Sequence, residues 1–246
     1  MKNICLVQAR LCSSRFPQKI LQKINNQLTV LDLLFYRLSR SEYIDEILFC
    51  IPDSDSDNKL AGFLNKKKYK FKRGHPYDLV KRYLKCLEKH SNCNIIRVTS
   101  DCPLVDPIWI DKGIKTFNER NLMYLSNYTP AKLSKFCNGS DIEIFTKETL
   151  IKLEENFKDE KDREHVTFPL WDGRLDIESL NMSCFIKENI SDIRITLDYP
   201  EDLVVLKSLA RNLCLKKASL YEIANEYRKQ GLAKVNGMHT YYEGWK

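Results

Sequence analysis

The chain has 246 residues, of which 43% are hydrophobic and 30% charged, so it can bury a sizeable core in one large or two small domains. Its apolar runs of four or five residues are far shorter than the roughly 20 of a membrane-spanning helix, its eight glycines and eight prolines exclude collagen-like chains, and its N-terminus lacks an apolar signal stretch. We therefore expect a cytoplasmic protein without a membrane partner. The net charge of +7 arises in residues 1–123, with 22 basic and 13 acidic side chains, and predicts an anionic partner.

Strand-like and helix-like patterns alternate through the first 120 residues. Short apolar runs typical of buried strands alternate with longer segments in which apolar residues recur at helical spacing. Such alternation predicts an α/β fold with a mainly parallel sheet. The predicted strands are 4–7, 46–51, 69–72 and 94–99, and the predicted helices are 30–39, 59–65, 77–90 and 107–118.

The second half of the chain is less regular. Ser219 followed by Glu222 forms the pattern of a capping box and predicts the start of the last helix. We predict one α/β domain over residues 1–214, with residues 215–246 as a C-terminal helix and tail packed on it or on a partner subunit. The predicted strands here are 123–126, 141–145 and 193–196, and the predicted helices are 147–156, 162–171, 200–213 and 219–230.

Two features that often carry chemistry have ordinary interpretations here. The nine cysteines are odd in number and include no Cys-x-x-Cys pair, so we expect free, mainly structural thiols. The basic segment 66–73 is either a nucleic-acid surface or a solvated helix end that runs into a strand. Because no nucleic-acid-binding motif accompanies it, we predict no nucleic-acid partner.

The loop at residues 8–19 follows the first predicted strand and precedes the first helix. In open α/β sheets the first such loop often binds phosphate. Arg10, Arg15 and Lys19 are three cations within ten residues, and Ser13 and Ser14 add two hydroxyls. The loop contains no glycine and is therefore neither a Walker A loop nor a dinucleotide fingerprint. Its composition suits a triphosphate, and the alternative is a solvated basic loop.

Two aspartates come just after predicted strands. Asp101 follows the strand 94–99, and Asp198 follows the strand 193–196. Carboxylates at this edge of a sheet suit Mg²⁺, which usually takes one or two of them together with phosphate oxygens. The alternative is that both residues only cap turns or helices, as Asp-x-Pro patterns often do.

Six segments with these residues stand in a recognisable order along roughly residues 3–210. The loop resembles the pattern Gln-Ala-Arg-x-Gly-Ser-Ser-Arg-x-Pro-Gly-Lys, with Cys12 and Gln18 at the two glycine positions. The chain thus resembles the cytidylyltransferase family of nucleotide-sugar synthetases, most closely SpsF-type spore-coat polysaccharide proteins, with CMP-Kdo and CMP-sialate synthetases as relatives. The other segments of the resemblance are 71–74, 99–107, 126–127 with 139–145, 162–167 and 197–202.

The resemblance implies a Rossmann-like, three-layer nucleotidyltransferase fold with a mainly parallel mixed sheet and a C-terminal helical appendage. It also implies an Mg²⁺-dependent cytidylyltransferase that couples CTP to a sugar, sugar acid or related polyol or phosphate acceptor, with release of pyrophosphate, for surface polysaccharide synthesis. A homodimer is expected on the same ground. The alternatives are a uridylyl- or guanylyltransferase acting on a sugar 1-phosphate, and a catalytically silent nucleotide-binding relative.

The resemblance also assigns roles to individual residues. Arg15, Lys19 and Asp101 are expected to be catalytic, and Asp101 and Asp198 to bind Mg²⁺. His165 is either an acid–base residue or part of a solvated helix start, and the tail 239–246 packs on the domain, packs on a partner or lines the acceptor pocket. The expected nucleotide-binding residues are Ala9, Arg10, Ser13, Ser14, Arg15, Lys19, Arg73, Thr99 and Ser100, and the expected acceptor-binding residues are Asn127, Asp141, Glu143, Arg163 and His165.

Overall fold

A computed structural model describes residues 1–129 and 133–239 of the chain. Its centre is a mixed sheet of strands β1 (Lys2–Gln8), β2 (Glu46–Pro52), β3 (Phe71–Gly74), β4 (Cys93–Thr99), β5 (Tyr124–Ser126), β6 (Glu143–Thr146) and β7 (Ser179–Asn181). The strands lie in the order β3-β2-β1-β4-β6-β5-β7. All neighbouring pairs are parallel except those of β6, which runs antiparallel to β4 and β5. The mainly parallel mixed sheet predicted from the sequence is thereby confirmed.

Helices cover both faces of this sheet and begin at the caps that the sequence provides. Asp106 caps the fourth helix ahead of Pro107, and the capping box predicted at Ser219 and Glu222 is formed. The α-helices of the described residues are α1 (Val30–Leu38), α2 (Asn58–Lys67), α3 (Leu79–Cys86), α4 (Pro107–Glu119), α5 (Lys147–Asn156), α6 (Glu160–His165), α7 (Phe168–Trp171), α8 (Pro200–Asn212), α9 (Leu220–Lys229) and α10 (Ala233–Asn236).

The alternation of side chains along β1 shows how the two faces are filled. Cys5 and Val7 belong to one apolar cluster, and Ile4 and Leu6 belong to the other, because successive residues of a strand point to opposite faces. β1 lies between β2 and β4 and is covered on both sides, which is why its apolar run is unbroken. The protein therefore has three layers, as the sequence predicts.

The C-terminal helix α9 packs into the same core as the first helix. Leu220, Ile223 and Tyr227 are at most 2% exposed and share one apolar cluster with Leu33 of α1. In the part of the chain that the model describes, no helix is both long and apolar enough to span a membrane. The nine cysteines are free thiols, and six of them are buried, which agrees with the structural role expected for them.

The prediction of a sheet strand at residues 193–196 is wrong. This segment forms one isolated parallel bridge, between Arg194 and Asn138, and the backbone N–H of Ile195 donates to the carbonyl of Asn138 at 2.8 Å. Its partner is thus a loop segment rather than a strand. Gly139 permits this approach, because it has a φ of 98° and a Cβ there would lie 2.2 Å from the Thr196 nitrogen.

Three further elements differ from the prediction. The predicted helix 162–171 is two short helices, α6 and α7, because Val166 between them has a positive φ of 59°. The predicted helix 77–90 is shortened to α3, whose N-cap is the Asp78 side chain. The edge strand β7 was not predicted, since its sequence Ser-Leu-Asn is short and polar and its side chains are partly or fully exposed.

Candidate active site

The predicted phosphate loop and the Asp101 segment leave the sheet side by side. Gln8 at the end of β1 pairs in register with Thr99 at the end of β4, so both segments begin at the carboxyl edge of the two central strands. Two cavities open there and share Gln8, Arg15, Thr99, Asp101 and His165. We call the cavity bounded by residues 8–19 the loop cavity, and the one bounded by β4, β5 and β6 the sheet cavity; their volumes are about 440 and 180 Å³.

The loop cavity is lined by most of the residues predicted to bind nucleotide. Arg82, which comes from α3, adds a further cation, and Tyr77 forms an exposed rim. Arg10 on one side of the cavity lies 3.5 Å from the Glu164 carboxylate on the other. The predicted nucleotide-binding residues that line this cavity are Ala9, Arg10, Ser13, Ser14, Arg15, Lys19, Thr99 and Ser100.

Gln18, at one glycine position of the resemblance, is accommodated without entering the loop cavity. Its backbone is left-handed, with φ 56° and ψ 23°, a conformation that glycine adopts most readily. Its N–H donates to the carbonyl of Leu11 at 3.1 Å, and its side-chain oxygen accepts from the Lys59 ammonium. The glycine preference at this position thus follows from the backbone turn. Cys12, at the other glycine position, is exposed and lines the cavity.

Lys19 lies between the two predicted metal ligands where the cavities meet. Its ammonium is 3.1 Å from Asp101 Oδ2 and 2.8 Å from Asp198 Oδ1, and Arg15 Nη2 donates to the same Asp198 oxygen at 2.8 Å. Burial alone would lower the pKa of Lys19, but the two carboxylates outweigh it and the net shift is upward. Burial likewise opposes ionisation of Asp101, yet the Lys19 charge brings its pKa below the ordinary value. Lys19 and Asp101 are therefore both charged at neutral pH.

These two carboxylates fit a divalent cation. Asp101 and Asp198 converge on a single positive charge, and both offer the hard oxygen ligands that Mg²⁺ prefers. In residues 1–129 and 133–239, no group of three or more His, Cys, Asp and Glu side chains has the geometry of a complete metal site. The donor set therefore suits an ion that takes its remaining ligands from substrate and water, and Lys19 would have to turn toward the phosphates.

The sheet cavity is built around a buried ion pair. Glu143, 4% exposed on β6, pairs with Arg97 on the adjacent strand β4 and accepts a 2.6 Å hydrogen bond from the Tyr124 hydroxyl. Nearby, burial raises the pKa of Asp141 to about 7, helped by the charges of Asp101 and Glu143 and opposed by the Gly139 N–H, which donates to it. The predicted acceptor residues Asp141 and Glu143 thus line one polar cavity, as His165 does.

His165 is the predicted acid–base residue and lines both cavities. Burial lowers its pKa below the ordinary 6.5; the charges of Arg97, Lys161 and Arg10 lower it further, and that of Glu164 raises it. The imidazole is consequently neutral at pH 7 and can accept a proton.

Arg73 and Asn127 lie away from both cavity linings. Arg73 donates to Asn58 Oδ1 at 2.6 Å, so it ties β3 to the start of α2, and its expected contact with the base stays a prediction. Asn127 is fully buried, with its amide group bonded to Ser140 O and Ile142 N, each at 2.7 Å. These bonds give it the role of fixing the backbone ahead of β6.

Arg163 is also outside the cavity linings. Its guanidinium donates to Asp78 Oδ2 at 2.7 and 2.8 Å and pairs with Glu154, so α6 is tied to α3 and α5. At 7% exposure it is buried in this network. Arg163 therefore supports the wall that carries His165, and its expected contact with an acceptor stays a prediction.

Several cavity residues were not predicted from the sequence. Arg97 had a visible signal, because it is a charge within the buried run of β4. Arg194 and Tyr199 lie close to Asp198 in the sequence, but the pairing of their segment with a loop, which brings them to the site, is not visible there. The further cavity residues without a role assigned from the sequence include Gln8, Arg82, Arg97, Ser126, Thr129, Asn138, Arg194, Thr196 and Tyr199.

A basic loop and paired carboxylates at the carboxyl edge of a mainly parallel sheet are typical of a nucleotidyltransferase. The model of one protein family, described as cytidylyltransferase, matches residues 4–230. The chain therefore belongs to the cytidylyltransferase family and is an enzyme of the nucleotidyltransferase class, as the sequence predicts.

Two individual proteins are similar in sequence to this chain. An uncharacterised protein of Methanocaldococcus jannaschii is 27% identical over 225 residues, which cover 91% of this chain and 89% of that protein. The spore coat polysaccharide biosynthesis protein SpsF of Bacillus subtilis is 28% identical over 123 residues, or 48% of this chain and 51% of that protein. The match to SpsF thus spans about half of each chain.

Solved structures share the fold. A cytidylyltransferase from Leptospira borgpetersenii has a TM-score of 0.86 at 27% identity and covers 99% of this chain and 100% of its own. CMP:2-keto-3-deoxy-manno-octonic acid synthetase, solved with CTP, has a TM-score of 0.60 at 14% identity, covering 87% and 100%. A Mycobacterium tuberculosis protein solved with manganese has a TM-score of 0.52 at 13% identity, covering 84% and 98%.

Proposed function

We propose that this enzyme transfers the cytidylyl group of CTP to a hydroxyl of a sugar or polyol acceptor and releases pyrophosphate. The reaction uses a divalent cation, for which Mg²⁺ is the first candidate. The observation that carries the proposal is the meeting of Arg15, Lys19, Asp101 and Asp198 where the loop and sheet cavities join. Transfer of this kind requires mainly positioning and neutralisation of charge. The CTP complex and the manganese complex among the solved structures of this fold support the choice of nucleotide and of a divalent cation, without distinguishing Mg²⁺ from Mn²⁺.

In this mechanism the loop cavity holds the triphosphate. Arg10, Arg15 and Lys19 neutralise the phosphate oxygens, and the hydroxyls of Ser13 and Ser14 add neutral donors. Asp101 and Asp198 would hold Mg²⁺, which, when bound, supplies further neutralisation of the phosphate charge. Lys19 exchanges its two carboxylate partners for the departing pyrophosphate.

The acceptor occupies the sheet cavity. One of its hydroxyl oxygens forms a bond to the α-phosphorus as the bond from that phosphorus to the pyrophosphate oxygen breaks. His165, neutral at pH 7 and shared by both cavities, can accept the hydroxyl proton. The transferred group is thus passed across the junction of the two cavities.

The charges of the sheet cavity favour a hydroxyl-rich acceptor. Arg97 is paired with Glu143, and Arg194 donates to Asp202 at 3.0 and 3.1 Å. These guanidinium groups already have carboxylate partners, so a carboxylate of the acceptor would have to compete with them. The lining residues also supply the neutral hydroxyl and amide groups that sugar hydroxyls bind, namely Ser126, Tyr128, Thr129, Asn138 and Thr196.

The test is pyrophosphate release with Mg²⁺ from CTP, UTP, GTP or ATP, each combined with neutral sugars, polyols, sugar acids and sugar phosphates. We expect release with CTP and a hydroxyl-rich acceptor. Release with UTP or GTP would keep the reaction class and refute the choice of nucleotide. Release with sugar acids alone would refute the choice of acceptor.

A substitution tests the proposed role of Asp101 as a metal ligand. Asp101→Asn keeps the shape of the side chain but removes the charge that faces Lys19, so we expect Mg²⁺-dependent turnover to fall by about 100-fold or more. Asp176→Asn is the matched control, because Asp176 is exposed and lines neither cavity. Turnover of Asp101→Asn equal to that of the control would remove Asp101 from the metal site.

A further inference from the structure

Asp202 is the centre of a buried network next to the site. Its carboxylate accepts from the Arg194 guanidinium at 3.0 and 3.1 Å, and from the backbone N–H groups of Asp198 at 2.8 Å and Tyr199 at 2.9 Å. The residue is 1% exposed. The backbone of Asp198 is therefore fixed by Asp202, while its side chain faces Lys19.

The fifth donor to Asp202 comes from the C-terminal end of the described chain. Asn236 is fully buried, and its Nδ2 donates to Asp202 Oδ1 at 2.8 Å and to the carbonyl of Arg194 at 3.1 Å. Its Oδ1 accepts from the Tyr227 hydroxyl at 2.7 Å. This one amide group thus joins α9, α10 and the start of α8 at the segment that carries Asp198.

A second contact, made by the residue three positions after Asn236, reaches the same turn at Asp198 and Tyr199. The His239 ring stacks on the Tyr199 ring, with centroids 3.7 Å apart and planes within 4°. The Arg15 guanidinium lies 5.2 Å from the centre of the same Tyr199 ring and donates to Asp198. His239 therefore packs on the residue that supports Arg15.

We propose that residues 233–239 form a C-terminal clamp that positions Asp198 and Arg15 for the nucleotide and its cation. Asn236 acts through Asp202 on the peptide N–H of Asp198, and His239 acts through Tyr199 on Arg15. Both are positioning residues, since neither lines a cavity. This inference rests on the proposed function, in which Asp198 is a metal ligand. Displacement of a ligand by about 1 Å is enough to impair such a site.

Asn236→Ala tests the first contact, with Asn212→Ala as its matched control. Asn212, at the other end of α8 from Asp202, donates to Glu226 at 2.6 Å, so its replacement removes a side-chain amide hydrogen bond between α8 and α9 without touching Asp202. We expect Asn236→Ala to raise the Mg²⁺ concentration for half-maximal pyrophosphate release about tenfold. We expect Mn²⁺ affinity, measured by electron paramagnetic resonance with CTP and no acceptor, to fall by the same factor. Asn212→Ala should change neither value.

A folded Asn236→Ala protein with wild-type Mn²⁺ affinity, differing from the control only in melting temperature, would refute the clamp. Failure of the proposed function is distinct, because wild-type enzyme would then release no pyrophosphate in response to Mg²⁺.

His239→Ala tests the second contact and leaves the bond between Asn236 and Asp202 in place, which keeps the proposal testable if Asn236→Ala does not fold. We expect a several-fold higher KM for CTP with a smaller change in kcat, because Arg15 loses the support of Tyr199. His239→Phe retains a stacked ring and should restore the KM. Equal KM values for wild type and His239→Ala would contradict this part of the clamp.

Discussion

Lys19 is the cation that bridges the two carboxylates of the site. Its ammonium is within 3.1 Å of both Asp101 and Asp198, so two carboxylates that would otherwise repel are held together. In the proposed function, Asp101 and Asp198 would hold the divalent cation, and Lys19 would turn toward the phosphates. The same three residues thus stabilise one another and offer both charges that the proposed function needs.

Asp141 should make the stability of the ligand-free protein depend on pH. Burial first, and then the charges of Asp101 and Glu143, raise its pKa from 3.8 to about 7. Between these values the folded protein retains a proton that the unfolded chain has lost, so the stability falls as the pH rises, and the penalty is complete above pH 7. The side chain of Asp141→Asn cannot ionise, so the variant avoids this penalty. We expect its unfolding free energy to exceed that of wild type by roughly 2 kcal/mol more at pH 8 than at pH 5.

The measurement is urea unfolding in metal-free buffer at both pH values. Asp53→Asn serves as the control, since that carboxylate is exposed and its replacement should have the same small effect throughout. A gain for Asp141→Asn that is equal at pH 5 and pH 8 would show that Asp141 ionises normally.

Individual residues of the site differ in how visible they are in a sequence. Arg10, Arg15 and Lys19 stand out because three cations in a short loop have few structural uses, and they line the loop cavity. Asn127 and Arg163 are also polar, but in the folded protein their side chains bind groups of the protein itself. Asn127 binds backbone atoms of Ser140 and Ile142, and Arg163 binds the carboxylate of Asp78, which is distant in sequence. A polar side chain alone does not reveal whether it faces a ligand or another buried group.

At the scale of elements, α1 is anchored to two distant segments by one buried side chain. Arg37 is fully buried and donates to the carbonyls of Val105, Leu215 and Ala218 at 2.7, 2.5 and 2.9 Å. Burial lowers its pKa to about 10, so it stays charged at neutral pH. Arg37→Met leaves three carbonyls without this donor, and we expect a loss of about 2–4 kcal/mol in unfolding free energy, measured by urea titration.

The control for this anchor is Arg40→Met. Arg40 makes a similar bond, to the carbonyl of Lys216 at 2.8 Å, but on the exposed surface. Water can replace that donor, so we expect a change within about 0.5 kcal/mol. Equal effects of the two substitutions would mean that the bonds of Arg37 contribute no more than surface bonds.

Elements that are determined by their own local sequence were predictable, and those that depend on tertiary contacts were not. β1 follows from its apolar run, α4 from Asp106 and Pro107, and α9 from its capping box. β7 and the segment 193–196 instead depend on what lies beside them: β7 pairs with β5, and 193–196 meets a loop at Asn138. Pairing partners of this kind are chosen by the folded chain and leave little trace in a short sequence window.

For the whole molecule, the basic segment 66–73 presents less free charge than its sequence implies. Four of its cations lie within 4 Å of carboxylates, which reduces the positive field available to a polyanion. The absence of a nucleic-acid partner, the homodimer and the cytoplasmic location all stay predictions. The pairs are Lys67 with Asp32, Lys70 with Glu46, Lys72 with Glu88 and Arg73 with Asp53.

The packing of α9 bears on whether residues 1–214 form a domain by themselves. Leu220, Ile223 and Tyr227 fill the main core, and their segment supplies two of the three carbonyls that Arg37 binds. Burying each large apolar side chain contributes about 1.5–3 kcal/mol, so three of them approach the 5–15 kcal/mol total stability of a typical domain. A chain ending at residue 214 should therefore lose cooperative folding.

Circular dichroism during urea titration measures this directly, with full-length protein as the reference. The control carries Asn225→Ala and Lys229→Ala on the exposed face of α9 and should unfold like the reference, because neither side chain enters the core. A sharp transition of the 1–214 chain near the reference midpoint would establish it as an independent domain. A broad, non-cooperative loss of signal would mean that the C-terminal helix belongs to the core and that the clamp on Asp198 and Arg15 is an extension of the fold itself.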